Sequence, residues 1–119
     1  MESNGTIKFK TKAQNPLFIG EVTAEQIEEW KKDCPDGIYL LKVDGHGGYF
    51  RDCTRHDVNK SLEAERMPEA KPLDGVTEFG RLCYLGGNDL LLKKDKYFLS
   101  IAPDLRGKMT PLETILVNL

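Results

Sequence analysis

A predicted β-hairpin at residues 38–53 constrains the fold of this chain more than any other feature. Residues 38–43 (IYLLKV) are rich in β-branched, aliphatic and aromatic side chains, which favours a strand. The next five residues, DGHGG at 44–48, include three glycines that can adopt positive φ, as is typical of a turn. Residues 49–53 (YFRDC) then return as the partner strand. We therefore expect an antiparallel hairpin at the centre of the fold.

Capping signals predict one helix on each side of this hairpin. Thr23 precedes a helical pattern, and Gln26 stands three residues later, as in a capping box. The Pro-Asp-Gly sequence at residues 35–37 ends that helix. After the hairpin, Thr54 is expected to cap a second helix, with Asp57 in the acidic position of a weaker capping box.

Two more helices are predicted in the second half of the chain. The third spans residues 73–85, with Asp74 as its cap and the glycines at 86–87 ending it. A fourth is expected to start at Asp95, and Pro103 must kink or end it. One face of the third helix carries apolar residues at helical spacing, namely Val76, Phe79, Leu82 and Cys83.

Residues 110–119 (TPLETILVNL) predict a short closing helix. Thr110 can cap it, Pro111 occupies the first helical position and Glu113 completes a capping box. Its apolar side is large for so short an element, and comprises Leu112, Ile115, Leu116 and Leu119. We expect this side either to close the core or to dock onto another subunit or partner.

These elements predict an α+β fold in which four to five short helices pack on the hairpin. Residues 7–12 alternate apolar and polar side chains, so they are a candidate third strand. We expect residues 1–6 to be a flexible N-terminus and residues 7–119 to form a single α+β domain. Trp30, the only tryptophan, is expected to lie in the core.

Charge and composition exclude several classes of function. The net charge is −2 and no block of like charges appears, so we expect no nucleic-acid partner. No apolar run reaches the ~20 residues of a membrane span, and the first ten residues lack an apolar signal core. Three widely spaced cysteines do not form a disulfide framework. We therefore expect a cytoplasmic protein with reduced thiols and no membrane partner.

A cluster of chemically active side chains follows the turn, with His46, Cys53 and His56 within eleven positions. Zinc sites usually show closer ligand pairs, and a strand of six residues would place His46 roughly 20 Å from the other two. Cys53 and His56 could instead form a nucleophile pair oriented by Asp57, but no catalytic signature surrounds them. We therefore expect no metal, no cofactor and no catalytic residues here.

The order of motifs supplies a functional lead. "EQIEEWKK" is followed by "IYLLKVDG", an aromatic return strand, "LCYLGGND", "DKYFLSIAPDL" and a short apolar end. Over residues 22–119 this arrangement resembles the small tail-assembly-chaperone-like proteins of tailed phages of Bacteroidetes. The resemblance implies a non-enzymatic protein that keeps an aggregation-prone tape-measure protein soluble while the tail assembles. It carries over no catalytic residues.

The leading hypothesis is therefore a phage-type interaction protein that binds an apolar helical client. Its predicted partner surface consists of the four apolar residues of 110–119 together with Leu90 and Leu92. One alternative is a virion structural protein or a host-directed inhibitor. A less favoured alternative is a small Cys-dependent or metal-dependent enzyme that uses Cys53 and His56. The open hairpin edge would also allow a homo-oligomer.

Overall fold

The computed structural model describes residues 12–119, and it confirms the α+β fold class. Three antiparallel strands form one sheet, and five helices accompany it in this part of the chain. In chain order the elements are α1 (Ala24–Asp33), β1 (Ile38–Val43), β2 (His46–Arg51), α2 (Arg55–Arg66), α3 (Asp74–Cys83), β3 (Tyr84–Gly87), α4 (Leu90–Lys93) and α5 (Asp95–Met109). The expected flexible segment, 1–6, lies outside the described residues.

The hairpin is formed by β1 and β2, and its turn is tighter than predicted. Ile38 pairs with Arg51 at the open end and Val43 with His46 at the closed end. Only Asp44 and Gly45 connect the strands, with φ of 52° and 76°. Positive φ at both central residues matches the right-handed twist of a hairpin, so a two-residue turn forms and the remaining glycines join β2. The prediction of a five-residue turn was therefore wrong, and His46 lies in a strand.

The third strand is β3, which pairs with the other side of β2 and gives the order β1-β2-β3. The predicted helix at 73–85 ends at Cys83, and the glycines at 86–87 are paired with β2 instead of capping that helix. Of the candidate third strand at 7–12, only Lys12 lies within the described residues. It makes an isolated bridge to Val22 and does not join the sheet.

Of the four caps predicted for helices before residue 110, two are present and two are not. Thr23 Oγ1 accepts a hydrogen bond from the Gln26 N–H, and Thr54 forms a complete capping box with Asp57. Asp74 instead accepts from the Lys71 N–H, one turn before α3. Asp95 is the first residue of α5 rather than its cap. Neither α3 nor α5 has a side-chain cap, so tertiary packing must stabilise their first turns.

Helix α5 continues past Pro103 to Met109, so the proline does not end it. Proline removes one hydrogen bond to the carbonyl four residues earlier, which belongs to Leu99. Leu99 is 55% exposed, so the interruption lies on the solvent side of the helix. On the opposite side, buried Ile101 and Leu105 hold the helix against the core through the interruption.

The core lies between the sheet and helices α3, α4 and α5. Its fully buried side chains include Phe50, Val76, Phe79, Cys83, Leu91 and Leu105. Phe50 stacks on Tyr39 with ring centroids 5.8 Å apart and meets Tyr84 edge-on at 5.5 Å. Full burial of one such ring contributes about 2 kcal/mol to the free energy of unfolding. No helix within residues 12–119 is both long and apolar enough to cross a bilayer.

Candidate functional site

Residues 111–119 form no helix, contrary to the prediction. Leu112, Ile115 and Leu116 are 90%, 86% and 83% exposed, and Val117 and Leu119 are exposed as well. The capping and spacing signals are sound, but isolated helices shorter than ~12 residues are marginal without tertiary packing. Nothing in the rest of the described chain covers this apolar side, so the segment stays irregular. The expectation that it closes the core was therefore wrong.

The other two residues of the predicted partner surface lie on α4. Leu90 is 38% exposed, whereas Leu92 is partly buried and packs against the core. Its Cδ2 atom lies 3.4 Å from the position that a Cβ atom on Gly80 of α3 would occupy. Leu92 is thus mainly a structural residue. Of the six predicted partner residues, the four in 111–119 and Leu90 remain available at the surface.

The histidines and Cys53 have separate partners. His46 Nδ1 lies 2.9 Å from Asn88 Nδ2, and the Cys53 thiol donates to the Lys108 carbonyl at 3.3 Å. His56 is exposed in the first turn of α2. Within residues 12–119 no group of three or more His, Cys, Asp or Glu side chains is arranged to hold a metal ion. Burial and the neighbouring Asp52 raise the pKa of Cys53, which reduces its thiolate fraction at neutral pH.

A buried ion pair, which sequence reasoning missed, joins the hairpin to α2 and α3. Arg51 Nη1 and Nη2 donate to the two oxygens of Asp57 at 2.6 and 2.9 Å, and Nη2 also donates to the Leu82 carbonyl. The Arg51 guanidinium lowers the pKa of Asp57 to about 2. Asp57 was recognised as a capping residue, but its spacing six residues after Arg51 gives no recognisable signal. The pair is fully used in structural contacts, so it is not a free chemical site.

A cleft of about 710 Å³ lies between residues 12–22, helix α1 and strand β3. Trp30 of α1 forms one wall, and its ring centroid lies 5.4 Å from that of Tyr49. Leu85, Gly86 and Gly87 of β3 form another wall. A Cβ atom on Gly86 would lie 2.9 Å from the indole, so glycine allows the tryptophan to sit directly on the strand. The prediction that Trp30 lies in the core was only half right, since one side of its ring faces this cleft.

Several polar residues of the cleft already have partners. Glu21 accepts a hydrogen bond from the Leu17 N–H at 2.7 Å, Asp89 pairs with Lys93, and the Asn88 amide is shared between His46 and the Leu90 N–H. Gln26 also lines the cleft and is only 8% exposed, but within residues 12–119 the buried side-chain polar atom without a hydrogen-bond partner is the Tyr39 hydroxyl. Sequence reasoning could not find this cleft because its walls come from three separate stretches of chain.

Comparisons with protein families, curated proteins and solved structures find no match for this chain. Two surfaces therefore remain as candidates on structural grounds. One is the exposed apolar segment 111–119, and the other is the cleft beside Trp30.

Proposed function

We propose that this protein is a non-enzymatic interaction protein that binds an apolar helical segment of another protein through residues 111–119. The observation that carries the proposal is the exposure of this segment. Its five large apolar side chains are between 70% and fully exposed, within a stretch of nine residues. Contiguous exposed apolar surface of this kind is typical of a protein-binding site.

The spacing of the apolar residues supports a helical bound form. Leu112, Ile115, Leu116 and Leu119 recur at i, i+3, i+4 and i+7, so a helix would place them on one face. A partner would supply the packing that the free segment lacks, and the segment would fold as it binds. The partly exposed Leu90 could extend the contact at its rim.

The role that fits this surface is shielding of an aggregation-prone client. The resemblance to tail-assembly-chaperone-like proteins names such a client, a long helical tape-measure protein in the cytoplasm of a phage-infected cell. The fold supports this role by holding one apolar segment in solution while the remainder of the chain is anchored on a packed core. No catalytic step is required.

Co-expression with a tape-measure protein tests the proposal. We expect the wild-type chain to keep that client in the soluble fraction and the double variant Ile115→Asp/Leu116→Asp to lose this effect. Leu99→Asp is the matched control, because Leu99 is also an exposed apolar residue but lies on α5.

The double variant should remain folded, because both side chains are exposed and contribute little to the free energy of unfolding. Its thermal midpoint should therefore stay within about 2 °C of wild type. A folded double variant that still solubilises the client would contradict the proposal. Selective capture of a capsid protein or a host enzyme through the same segment would favour the virion structural or inhibitor alternative.

A further inference from the structure

Strand β1 forms one edge of the sheet, and its outer side is unpaired within residues 12–119. The strand runs for six residues, IYLLKV, with no proline and with a regular register against β2. A regular edge strand of this length presents free N–H and C=O groups to which another strand can add. The pairing of β3 at the opposite edge is less regular, since its register shifts between Tyr49 and Phe50 of β2. Strand β1 is therefore the edge better suited to strand addition.

The hydrogen bonds of β2 show which residues of β1 face outward. Gly47 donates its N–H to the Ile19 carbonyl and accepts from the Asn88 N–H, so its backbone groups point away from β1. Gly47 is the partner of Lys42, so this pair has no mutual hydrogen bonds. Hydrogen-bonded and non-hydrogen-bonded pairs alternate along an antiparallel ladder, so every second residue of β1 turns its backbone groups outward. These residues are Ile38, Leu40 and Lys42.

The side chains of β1 leave the centre of this edge accessible. Lysine commonly protects an edge strand from pairing, and Lys42 is the only charged residue of β1. Its Nζ lies 5.1 Å from the centroid of the Phe18 ring, and that ring lies against Gly47, so the lysine is held over the face of the sheet. Leu40, in the middle of the strand, is 38% exposed. The middle of the edge is thus apolar and open.

We propose that β1 pairs antiparallel with β1 of a second copy, which joins two three-stranded sheets into one of six strands. A second copy fits because such an edge is self-complementary, and each outward N–H meets an outward C=O across a twofold axis. The register that uses all three outward residues places the axis at Leu40, facing its own counterpart. It pairs Ile38 with Lys42 at both ends. An axis elsewhere on the strand leaves at least one outward residue unpaired.

The charges around this edge are compatible with that register. The two copies of Lys42 lie at opposite ends of the paired stretch, each beside an Ile38, so no like charges face each other within the strands. Asp36 and Asp44 lie in the turns that flank β1. Each end therefore combines one lysine with two aspartates, and Asp44 already accepts a hydrogen bond from the Tyr97 hydroxyl at 2.7 Å.

This self-association is separate from the proposed client role, which uses residues 111–119. The experiment is carried out on the Ile115→Asp/Leu116→Asp protein, so that the exposed segment does not contribute to association. It contains no client. Its failure would leave the proposed function standing, and failure of the client experiment would leave the β1 interface standing.

Opposite charges at position 40 test the register directly. In the segment-variant background, we expect the mass in light scattering to rise with concentration towards twice that of the monomer. Leu40→Lys and Leu40→Glu should each weaken self-association at least about tenfold, because like charges then meet at the axis. An equimolar mixture of these two proteins should restore the dimer, since the lysine of one copy then faces the glutamate of the other.

Leu62 provides the matched control, because it is also 38% exposed but lies on α2. Leu62→Lys and Leu62→Glu should leave the mass unchanged at every concentration. A thermal melt checks that the position-40 variants remain folded, as expected for an exposed residue whose backbone groups face outward.

Amide hydrogen exchange gives a second readout that requires no change in β1. The Leu40 N–H should exchange quickly at low protein concentration and become protected as the dimer forms. The Leu41 N–H faces β2 and should be protected at both concentrations.

Three outcomes would overturn the inference. The first is a monomer mass that persists up to about 1 mM protein, a level that excludes even weak pairing. The second is self-association that the Leu40 and Leu62 variants affect equally, or that mixing the two Leu40 variants does not restore. The third is exchange of the Leu40 amide that does not depend on concentration, because the edge would then be either covered within one molecule or never covered.

Discussion

At the scale of single residues, the Arg51–Asp57 pair is expected to be the most sensitive polar contact. Asp57 is fully buried, and the Arg51 side chain is 25% exposed. Asp57→Asn would leave the guanidinium without its counter-charge, so we expect the free energy of unfolding to fall by about 3 kcal/mol. Urea denaturation measures this loss. The control is Glu78→Gln, which breaks the more exposed pair with Arg81 and should cost less than about 1 kcal/mol. Equal losses would show that burial of the Asp57 pair adds nothing.

The same carboxylate predicts a dependence of stability on pH. Hydrogen bonds from Arg51 and Thr54 lower the pKa of Asp57 to about 2 in the folded state, from an ordinary value of 3.8. A depressed pKa contributes stability above pH 4 that is lost as the pH falls towards 2. We expect the wild-type free energy of unfolding to drop by about 2 kcal/mol over this window. Asp57→Asn should show a flatter profile in denaturant titrations at each pH, and identical profiles would contradict the assignment.

At the scale of elements, replacing glycine by alanine is expected to have opposite effects on stability at two positions. Gly45 occupies the hairpin turn at φ 76°, where an added Cβ meets no atom but the backbone is strained for other residues. Gly45→Ala should therefore destabilise the protein by about 1 kcal/mol. Gly107 lies in α5 with equally open surroundings, so Gly107→Ala should stabilise it by about 0.5 kcal/mol through helix propensity. Thermal unfolding compares the two variants, and shifts of the same sign would refute the backbone argument.

The elements that sequence reasoning predicted correctly are those specified by neighbouring residues. Thr23 and Thr54 start helices through contacts three residues away, and the hairpin needs only a two-residue turn. Strand β3 was missed because its glycines resemble a helix end, while its identity depends on Tyr49 and Phe50, more than thirty positions earlier. The helix predicted for 110–119 was wrong for the converse reason. Its local signals are good, but it has no surface to pack against within the described chain.

The candidate sites divide in the same way, into one that neighbouring residues specify and one that depends on contacts between distant parts of the chain. The apolar residues of 111–119 were predicted because their spacing is visible in ten consecutive letters. The cleft was not, because Trp30 and Gly86 become neighbours only after α1 and β3 have packed together.

At the scale of the whole molecule, the rate at which the Cys83 thiol is labelled reports whether the core opens as one unit. It is fully buried at the end of α3, and burial raises the pKa of its thiol to about 12. In a Cys34→Ser/Cys53→Ser protein it is the only thiol left, so reaction with a thiol reagent requires the core to open. Leu105→Ala, which creates a cavity on the α5 side, should cost about 3 kcal/mol and speed labelling about 100-fold. If labelling is already as fast as that of a free thiol, or is unmoved by Leu105→Ala, then α3 opens locally and the sheet and helices do not unfold as one cooperative body.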